Sequence, residues 1–328
     1  MLNVRSVDVE RMRAALFFEG PDRRQRSSRF WVLLVLAALI ATAGVIADST
    51  ATVIGAMIVA PLMTPILGIV LAVTLGDRTN LIRSVAFVVG GAILVVLISW
   101  LLGKFVAVDV DAASNLQVAG RVSPRTIDLV AALATGLVGS FALARRDVSD
   151  TLPGVAIAIS LVPPLAVTGL TLEAGRTDQA RGSLLLFLTN VAAILLTGIV
   201  VMALYRVRGA ATAMAIPEGT RPPRSPVVVI VALVVLVAIP LVAAGRRYTQ
   251  STLTTDRVAT AAEKWADNAD WRVISVTYRD GTVLVRASGP QPRPDPAELR
   301  RMLDADGEAK TSVTVELVPE ERFELPGR

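Results

Sequence analysis

Seven apolar segments dominate this sequence, and each has about the 17–25 residues that a helix needs to cross a bilayer. Apolar residues make up 53% of the 328 residues and fall in long blocks. This pattern is typical of a polytopic membrane protein whose membrane region is all-α. The predicted spans lie at about 30–47, 51–75, 82–102, 127–144, 152–173, 183–205 and 226–244.

Arginines in the loops predict the orientation, because loops rich in Arg and Lys stay in the cytoplasm. Such loops precede the first span and follow the second, fourth and sixth. We therefore expect a multi-pass protein of the cell (inner or plasma) membrane with a cytoplasmic N-terminus. Seven spans then place the C-terminal domain outside the cytoplasm, although Arg246 and Arg247 after the last span do not add support for that side.

Several function classes are disfavoured by composition. The chain has no cysteine and no histidine, so Cys nucleophiles and His bases or ligands are excluded. No phosphate-binding glycine loop, nucleophile elbow or metal-ligand cluster is visible, and we expect no enzyme, no cofactor and no metal. The basic residues follow the membrane topology, which argues against nucleic-acid binding. No charged residue lies at the centre of a predicted span, which argues against a proton pump with a buried carboxylate.

The composition also divides the chain. Residues 1–29 form a basic arm in which Val9, Met12, Leu16 and Phe17 have helical spacing. This arm is predicted either as an amphipathic helix on the membrane surface or as a solvated helix. The predicted domains that follow are a membrane core at 30–205, a cytoplasmic loop at 206–225, the seventh helix at 226–244 and a soluble domain at 250–328.

The C-terminal domain has the predicted order αββαβ, a small α+β fold for which a ferredoxin-like arrangement is one expectation. A strong hairpin signal, Asp280-Gly281, separates its first two strands. Its core is small for roughly 75 residues, so pairing with another copy is expected. The predicted elements are helix Thr254–Asn268, strands Trp271–Tyr278 and Thr282–Ala287, helix Asp295–Leu303 and strand Ser312–Val318.

An internal repeat relates the second and fifth predicted spans. With a shift of 99 positions, "DSTATVIGAMIVAPLMTPILGIVLAVTLGD" (48–77) aligns without gaps with "DVSDTLPGVAIAISLVPPLAVTGLTLEAGR" (147–176). The two stretches share a D-x-x-x-T-x-x-G beginning, a central proline and a closing glycine. Each unit, 30–102 and 127–205, holds three spans, and an odd number gives the two copies opposite orientations in the membrane. The sequence therefore predicts an inverted three-helix repeat of the kind found in transporters.

Two pairs of prolines interrupt the repeated spans. A proline removes one backbone donor and frees the carbonyl four residues earlier, and an unpaired carbonyl in hydrocarbon is costly. Either neighbouring groups satisfy these carbonyls in two kinked, packed helices, or a solute or ion binds between the two breaks. The predicted solute or ion site comprises Met57, Pro61, Thr64, Pro65, Ile159, Ser160, Pro163, Pro164 and Asn190.

Three segments resemble a known family. "GAMIVAPLMTPILGI", "GVAIAISLVPPLAVTGL" and "LLLFLTNVAAI" are similar to the hallmark segments of the DUF389 family, hydrophobic membrane proteins of bacteria and archaea. The resemblance covers roughly residues 30–205 and implies a membrane architecture. It names no substrate, because the family has no settled biochemical activity. Many members carry a soluble domain before the membrane region, whereas here the soluble domain follows it.

Polar and small residues add candidates with two interpretations each. Asn190, inside a span, either bonds to a neighbouring helix or lines a polar cavity. The aspartates and threonines that begin the broken spans either cap helices or line the mouths of a pathway: Asp48, Thr52, Asp147 and Thr151. A stripe of small residues either packs within the protomer or forms an oligomer interface: Ala132, Gly136, Ser140 and Ala144.

Two functions are consistent with these observations. The first is a transporter or channel-like protein that moves a small solute or ion through a site at the two broken helices. The alternative is a non-transporting, oligomeric scaffold or envelope sensor whose C-terminal domain binds a partner or ligand. Both require the lipid bilayer, and a homo-oligomer, with a dimer favoured, is expected.

Overall fold

The computed structural model describes residues 6–106, 110–122, 126–145, 161–205, 207, 254–255, 257–279, 282–309 and 311–319. The chain divides into two compact units at Ala243 and Ala244. The predicted loop at 206–225, the predicted seventh span at 226–244 and the first half of the fifth span lie almost wholly outside the described residues.

Among the described residues of the first unit, four helices are long and apolar enough to cross a membrane: α2 Arg23–Ile46, α5 Arg78–Val106, α7 Thr126–Ala144 and α9 Thr177–Leu204. Helices α3 and α4 together form one further candidate span, bent by 45°. Of the seven predicted spans, the described residues therefore contain four single helices, one bent pair and, as α8, the second half of the fifth. The helices are α1 Ser6–Leu16, α2 Arg23–Ile46, α3 Thr50–Val59, α4 Met63–Leu75, α5 Arg78–Val106, α6 Leu116–Val122, α7 Thr126–Ala144, α8 Val162–Glu173 and α9 Thr177–Leu204.

Helix α5 is packed inside out compared with a helix of a water-soluble protein. Large apolar side chains recur every three or four residues on its exposed face, whereas several small or polar residues face the core. In water such a surface would be an unusually large apolar patch, but it suits lipid, where small residues let helices approach closely. The exposed residues are Ile82, Val85, Val89, Ile93, Leu97, Leu101 and Phe105, and the buried ones are Asn80, Ser84, Val88, Gly91, Val95, Ser99 and Gly103.

The ends of the helices form two faces of the first unit. On one, here called the arm face, α1 contacts the α4–α5 turn through Arg13 and Asp77 and the end of α7 through Arg11 and Leu143. The other, the loop face, joins the α2–α3 turn, the segment before α6 and the start of α9. Its contacts are Asn115 Nδ2 to Val45 O, Gln117 N to Asp48 Oδ1 and Arg176 Nη1 to Asp111 Oδ2. Helix α2, the α3–α4 pair and α5 therefore each run from one face to the other.

Two short helices, α4 and α8, begin inside the unit and end at opposite faces. Each ends at a glycine in the left-handed region, Gly76 with φ 75° and Gly175 with φ 71°. The capping bonds also match: Asp77 N donates to Ala72 O at 2.8 Å, and Arg176 N donates to Thr171 O at 2.8 Å. All of these positions are 99 residues apart, as in the sequence repeat.

Each short helix packs against both long helices α5 and α9. At Gly169 of α8, a Cβ would lie 2.7 Å from Ser99 Cβ and 2.9 Å from Trp100 N of α5. At Gly198 of α9, a Cβ would lie 2.8 Å from Val70 Cγ2 of α4. The pairs Gly169–Ser99 and Val70–Gly198 are also related by the 99-residue shift, so the same crossed contact occurs twice.

The second unit has the predicted αββαβ order, with helix α10 at 257–267, β1 Arg272–Arg279, β2 Thr282–Gly289, α11 Pro296–Ala305 and β3 Ser312–Pro319. Strand β2 pairs antiparallel with β1 and parallel with β3. The parallel strands are therefore direct neighbours, whereas a ferredoxin-like fold places another strand between them. Trp265 and Trp271 fill the core, and their indole N–H groups donate to the carbonyls of Asp295 and Pro290. The predicted Asp280-Gly281 turn lies outside the described residues.

The close contact at Gly169 yields a stability prediction. In Gly169→Ala the new methyl group would meet the Val96 carbonyl and Ser99 of α5, and such overpacking typically costs about 1–3 kcal/mol. We expect a lower midpoint of thermal unfolding in detergent, followed by the helical signal in circular dichroism, because most of the described helical residues belong to the first unit. Gly55→Ala is the matched control because no atom lies within 4 Å of the position of its Cβ, and it should be neutral or stabilising. Equal stability of the two variants would contradict the prediction.

Candidate functional site

The α3–α4 break is centred on Pro61. Helix α3 ends with Ala60 N donating to Ala56 O at 3.1 Å, and α4 begins at Met63. Pro65 is the third residue of α4, where a backbone N–H has no partner within the helix, so proline is tolerated there. The Pro61 carbonyl accepts from Thr64 N at 3.2 Å. Thr64 N therefore satisfies the carbonyl whose helical partner Pro65 removes, and Pro61 is the residue that interrupts the span.

The second proline pair lies in the first turn of α8. Pro163 and Pro164 are buried there, and the Pro164 carbonyl accepts from Thr168 Oγ1 at 2.8 Å and from Ser183 Oγ at 2.7 Å. Hydroxyl groups of α8 and α9 therefore both donate to a carbonyl in the first turn of α8. The predicted carbonyl ligands Ile159 and Ser160 lie outside the described residues.

Side chains beside both breaks belong to apolar clusters of the first unit. Leu62 and Met63 share one hydrophobic core with Leu161 and Val162. Met57 packs against a second cluster that contains Val167 and Leu170 of α8. Asn190, on α9, is 2% exposed. Residues next to the two breaks therefore belong to the same apolar core of the first unit.

A cavity of about 470 Å³ lies beside Pro61 and Thr64. Its other described walls come from the end of α1 and from the first three turns of α2, and no described residue of the fifth span lines it. These walls include Ala14–Phe18 together with Arg26, Arg29, Phe30 and Leu33, and Val59 of α3 adds to them. Because Leu33 lies seven residues beyond Arg26, the cavity follows α2 for about 10 Å along its axis.

The arm helix α1 is docked on the protein, so its apolar face is covered by the protein rather than by lipid or water. Its predicted apolar face is buried, with Met12 at 0% and Phe17 at 1% exposure, and it packs against α4 and α7. Arg11 Nη2 donates to Leu143 O at 3.0 Å, and Arg26 donates to the carbonyls of Ala14 and Phe17. The helical spacing of Val9, Met12, Leu16 and Phe17 identified the correct face but not its partner.

A polar cluster ties the arm to the α4–α5 turn. Asn80 Nδ2 donates to Asp77 Oδ2 and to Glu19 Oε2, each at 2.8 Å. Arg13 Nη2 lies 3.1 Å from Glu19 Oε1 and 3.5 Å from Asp77 Oδ2. Burial acts to raise the pKa of Asp77, but hydrogen bonds from Asn80 and the Arg13 charge outweigh it, and the pKa lies below its ordinary value.

The predicted mouth residues of the first repeat are bound in the loop face. Asp48, with φ 48°, accepts from Gln117 N at 2.9 Å and therefore joins α6 rather than capping α3. The α3 cap is Ser49, whose Oγ accepts from Thr52 N at 3.4 Å and lies 2.9 Å from Thr52 Oγ1. Asp147 and Thr151 lie outside the described residues.

The small-residue stripe packs within the protomer. A Cβ on Gly136 would lie 2.7 Å from Ile194 Cα, and a Cβ on Gly198 would lie 3.0 Å from Ser140 Oγ. The partner is therefore α9 of the same chain. Ala132, at 5% exposure, and Ala144, at 7%, are also buried in the protomer.

Comparison with known proteins agrees with the resemblance found in the sequence. Residues 57–196 match the family model described as Domain of unknown function (DUF389), which confirms the predicted resemblance. The chain is also similar to Uncharacterized protein MJ0678 of Methanocaldococcus jannaschii, with 32% identity over 194 residues. That alignment spans 59% of this chain and 59% of the relative. No solved structure matches the chain.

The Asp77 cluster predicts how firmly the arm is held. Asp77→Asn removes the charge that pairs with Arg13, and we expect arm docking to weaken by about 1 kcal/mol. Hydrogen exchange in peptides of α1, measured by mass spectrometry, should then be about five-fold faster. Because the folded pKa of Asp77 is lowered, its contribution is present at neutral pH and is lost as the pH falls through that folded value.

Asp178→Asn is the matched control for this change. Asp178 pairs with Arg181 on the surface, and its side chain is 84% exposed. This variant should leave exchange in α1 unchanged. Unchanged exchange in Asp77→Asn as well would show that the cluster does not hold the arm.

Proposed function

We propose that this chain is an integral membrane transporter or channel-like protein for a small solute or ion, with its site at the beginnings of α4 and α8. The observation that carries the proposal is the cavity at the α3–α4 break. It extends from Arg26, near the start of α2, to Pro61 and Thr64 inside the unit. A solute that enters beside the arm would thus reach the break, where the helical hydrogen bonds of the backbone are interrupted.

The inverted repeat is part of this proposal and is supported by three matched features. Helices α4 and α8 begin inside the unit and end at opposite faces. Their C-terminal caps at Gly76 and Gly175 are alike, and the crossed contacts of Gly169 and Gly198 occupy equivalent positions. In transporters with inverted repeats, broken helices of this kind meet near the midplane and present their ends to the solute.

The coarse location is supported by the apolar helices, which are compatible with a membrane protein. We place the arm face in the cytoplasm because the Arg residues in the first turns of α2 and α5 lie at that face, and positive charge favours the cytoplasmic side. The C-terminal unit would then lie outside the cytoplasm if the seventh predicted span crosses the membrane. The proposal requires no enzymatic step and no cofactor, and association of two copies stays a prediction.

The break itself can be tested in liposomes that contain the purified full chain. Solute entry is followed by stopped-flow light scattering with sodium methanesulfonate, choline chloride, glycine and glucose as probes. We expect at least one probe to enter about ten-fold faster than in protein-free liposomes. Pro61→Ala should remove that flux without lowering the unfolding midpoint, because alanine lets α3 continue into α4.

Pro65→Ala is the matched comparison at the same site, since Pro65 lies in the first turn of α4 where no helical bond is missing, and it separates the break from the presence of a nearby proline. Its flux should stay within about two-fold of wild type. No probe crossing faster than in protein-free liposomes would reject transport of these solute classes and favour the scaffold. Equal losses in both proline variants would reject the break as the site.

A further inference from the structure

The cavity beside the arm has a basic end and apolar walls. Arg26 and Arg29 line it close to the start of α2, and Phe17, Phe30 and Leu33 line it further in. No aspartate or glutamate is among its described lining residues. A concave site with two positive charges and no negative charge selects for an anion.

The guanidinium groups of Arg26 and Arg29 have N–H donors that no described residue accepts from. Both hydrogen bonds between Arg26 and the described residues use Nη1, which donates to the carbonyls of Ala14 and Phe17. These bonds anchor the group and leave Nε and Nη2 for a ligand. Arg29 is exposed and has no ion-pair partner in the described part of the chain. Guanidinium groups bind carboxylate and phosphate oxygens through paired, charge-assisted hydrogen bonds.

The apolar wall is held in shape by aromatic contacts. The Phe18 ring stacks on Phe87 at 4.0 Å and meets Phe30 edge-on at 5.8 Å. Trp31 also stacks on Phe87, at 5.5 Å. A wall of this kind favours an apolar group over a hydrated one, and about 470 Å³ lies within the usual range for small-molecule sites.

We propose that this cavity binds an amphiphilic anion, with its carboxylate or phosphate group at Arg26 and Arg29 and its apolar part against Phe30 and Leu33. This inference rests on the proposed function for its role in transport, since it names the solute class for the same cavity. Binding itself does not depend on transport. The ligand is either a water-borne amphiphile or an anionic phospholipid of the surrounding membrane, and both share the chemistry that the cavity recognises.

The binding test uses the full chain in nanodiscs of zwitterionic lipid and three probes studied by calorimetry. Octanesulfonate carries a permanent negative charge and an apolar tail, methanesulfonate lacks the tail, and octyltrimethylammonium has the tail with the opposite charge. We expect saturable binding of octanesulfonate at least ten-fold tighter than either of the other two. A second arm uses native mass spectrometry to compare retained phosphatidylglycerol with phosphatidylcholine, which shows whether a membrane lipid is the source.

Charge variants locate the site. The double variant of Arg26→Gln and Arg29→Gln should weaken the binding of octanesulfonate, or the retention of phosphatidylglycerol, at least ten-fold. Arg29→Gln alone should weaken it about three-fold and removes no hydrogen bond within the described residues, so it remains informative if the double variant loosens the arm. The control, Arg23→Gln with Arg24→Gln, makes the same charge change on exposed residues of α2 that do not line the cavity. It should bind as wild type does.

The outcomes separate this inference from the proposed function. Equal weakening in the two double variants would show only general attraction of anions to a basic surface and would overturn the site. Equal binding of the anionic and cationic probes would also overturn it. Binding that follows Arg26 and Arg29 in a chain without any flux would reject transport and leave the anion site standing. If octanesulfonate does not bind and flux is the same in the Arg variants as in wild type, the anion site would be rejected and transport would be left standing.

Discussion

The approach of α8 to the backbone of α5 at Gly169 is the contact on which the arrangement of the first unit depends. In lipid, burial of apolar side chains does not hold helices together, because the tails are as apolar as the side chains. Association then relies on van der Waals contact between closely spaced helices, which small residues permit. Gly169, Ser99, Gly198 and Gly136 occupy such positions, whereas the large apolar residues of α5 point outward. Helix α5 therefore turns its small residues toward the neighbouring helices, where close contact is possible, and its large apolar residues away from them.

Because the unit is closely packed, the two short helices begin where few polar partners are available for their backbone groups. A helix that begins inside an apolar environment has backbone groups that must find partners. At α8, the Thr168 and Ser183 hydroxyls both donate to the Pro164 carbonyl, while the carbonyls that the two prolines free, those of Ile159 and Ser160, lie outside the described residues. At α4, Pro61 and Thr64 border a cavity instead. The two halves of the repeat are similar in backbone geometry but differ in what surrounds their first turns, and this shifts the proposed site toward the first half.

The helices and strands could be predicted from the sequence because they depend on local patterns of apolar and turn residues. Apolar block length identified the described spans, and alternation with turn residues placed the C-terminal strands within one or two residues of β1, β2 and β3. The 99-residue shift anticipated the matched caps at Gly76 and Gly175. What the sequence did not reveal are contacts between distant segments. The spacing of Met12 and Phe17 fixes an apolar face but carries no information on whether lipid, water or α4 covers it. Likewise, Asp48 before a helix is a plausible cap, and only the fold brings Gln117 within reach of it.

Arg26 contacts the arm and also lines the cavity that reaches the helix break. Its guanidinium group bonds to the last carbonyls of α1 and lines the same cavity that reaches Pro61. An anion bound to the remaining donors of Arg26 would neutralise the charge that these carbonyls also use, so anion binding and arm docking act on a single group. The Asp77 cluster holds the other side of the arm through Arg13, independently of that charge. Arg26 therefore attaches the arm where the cavity's occupant would act on it, whereas Arg13 attaches the arm where the occupant would not.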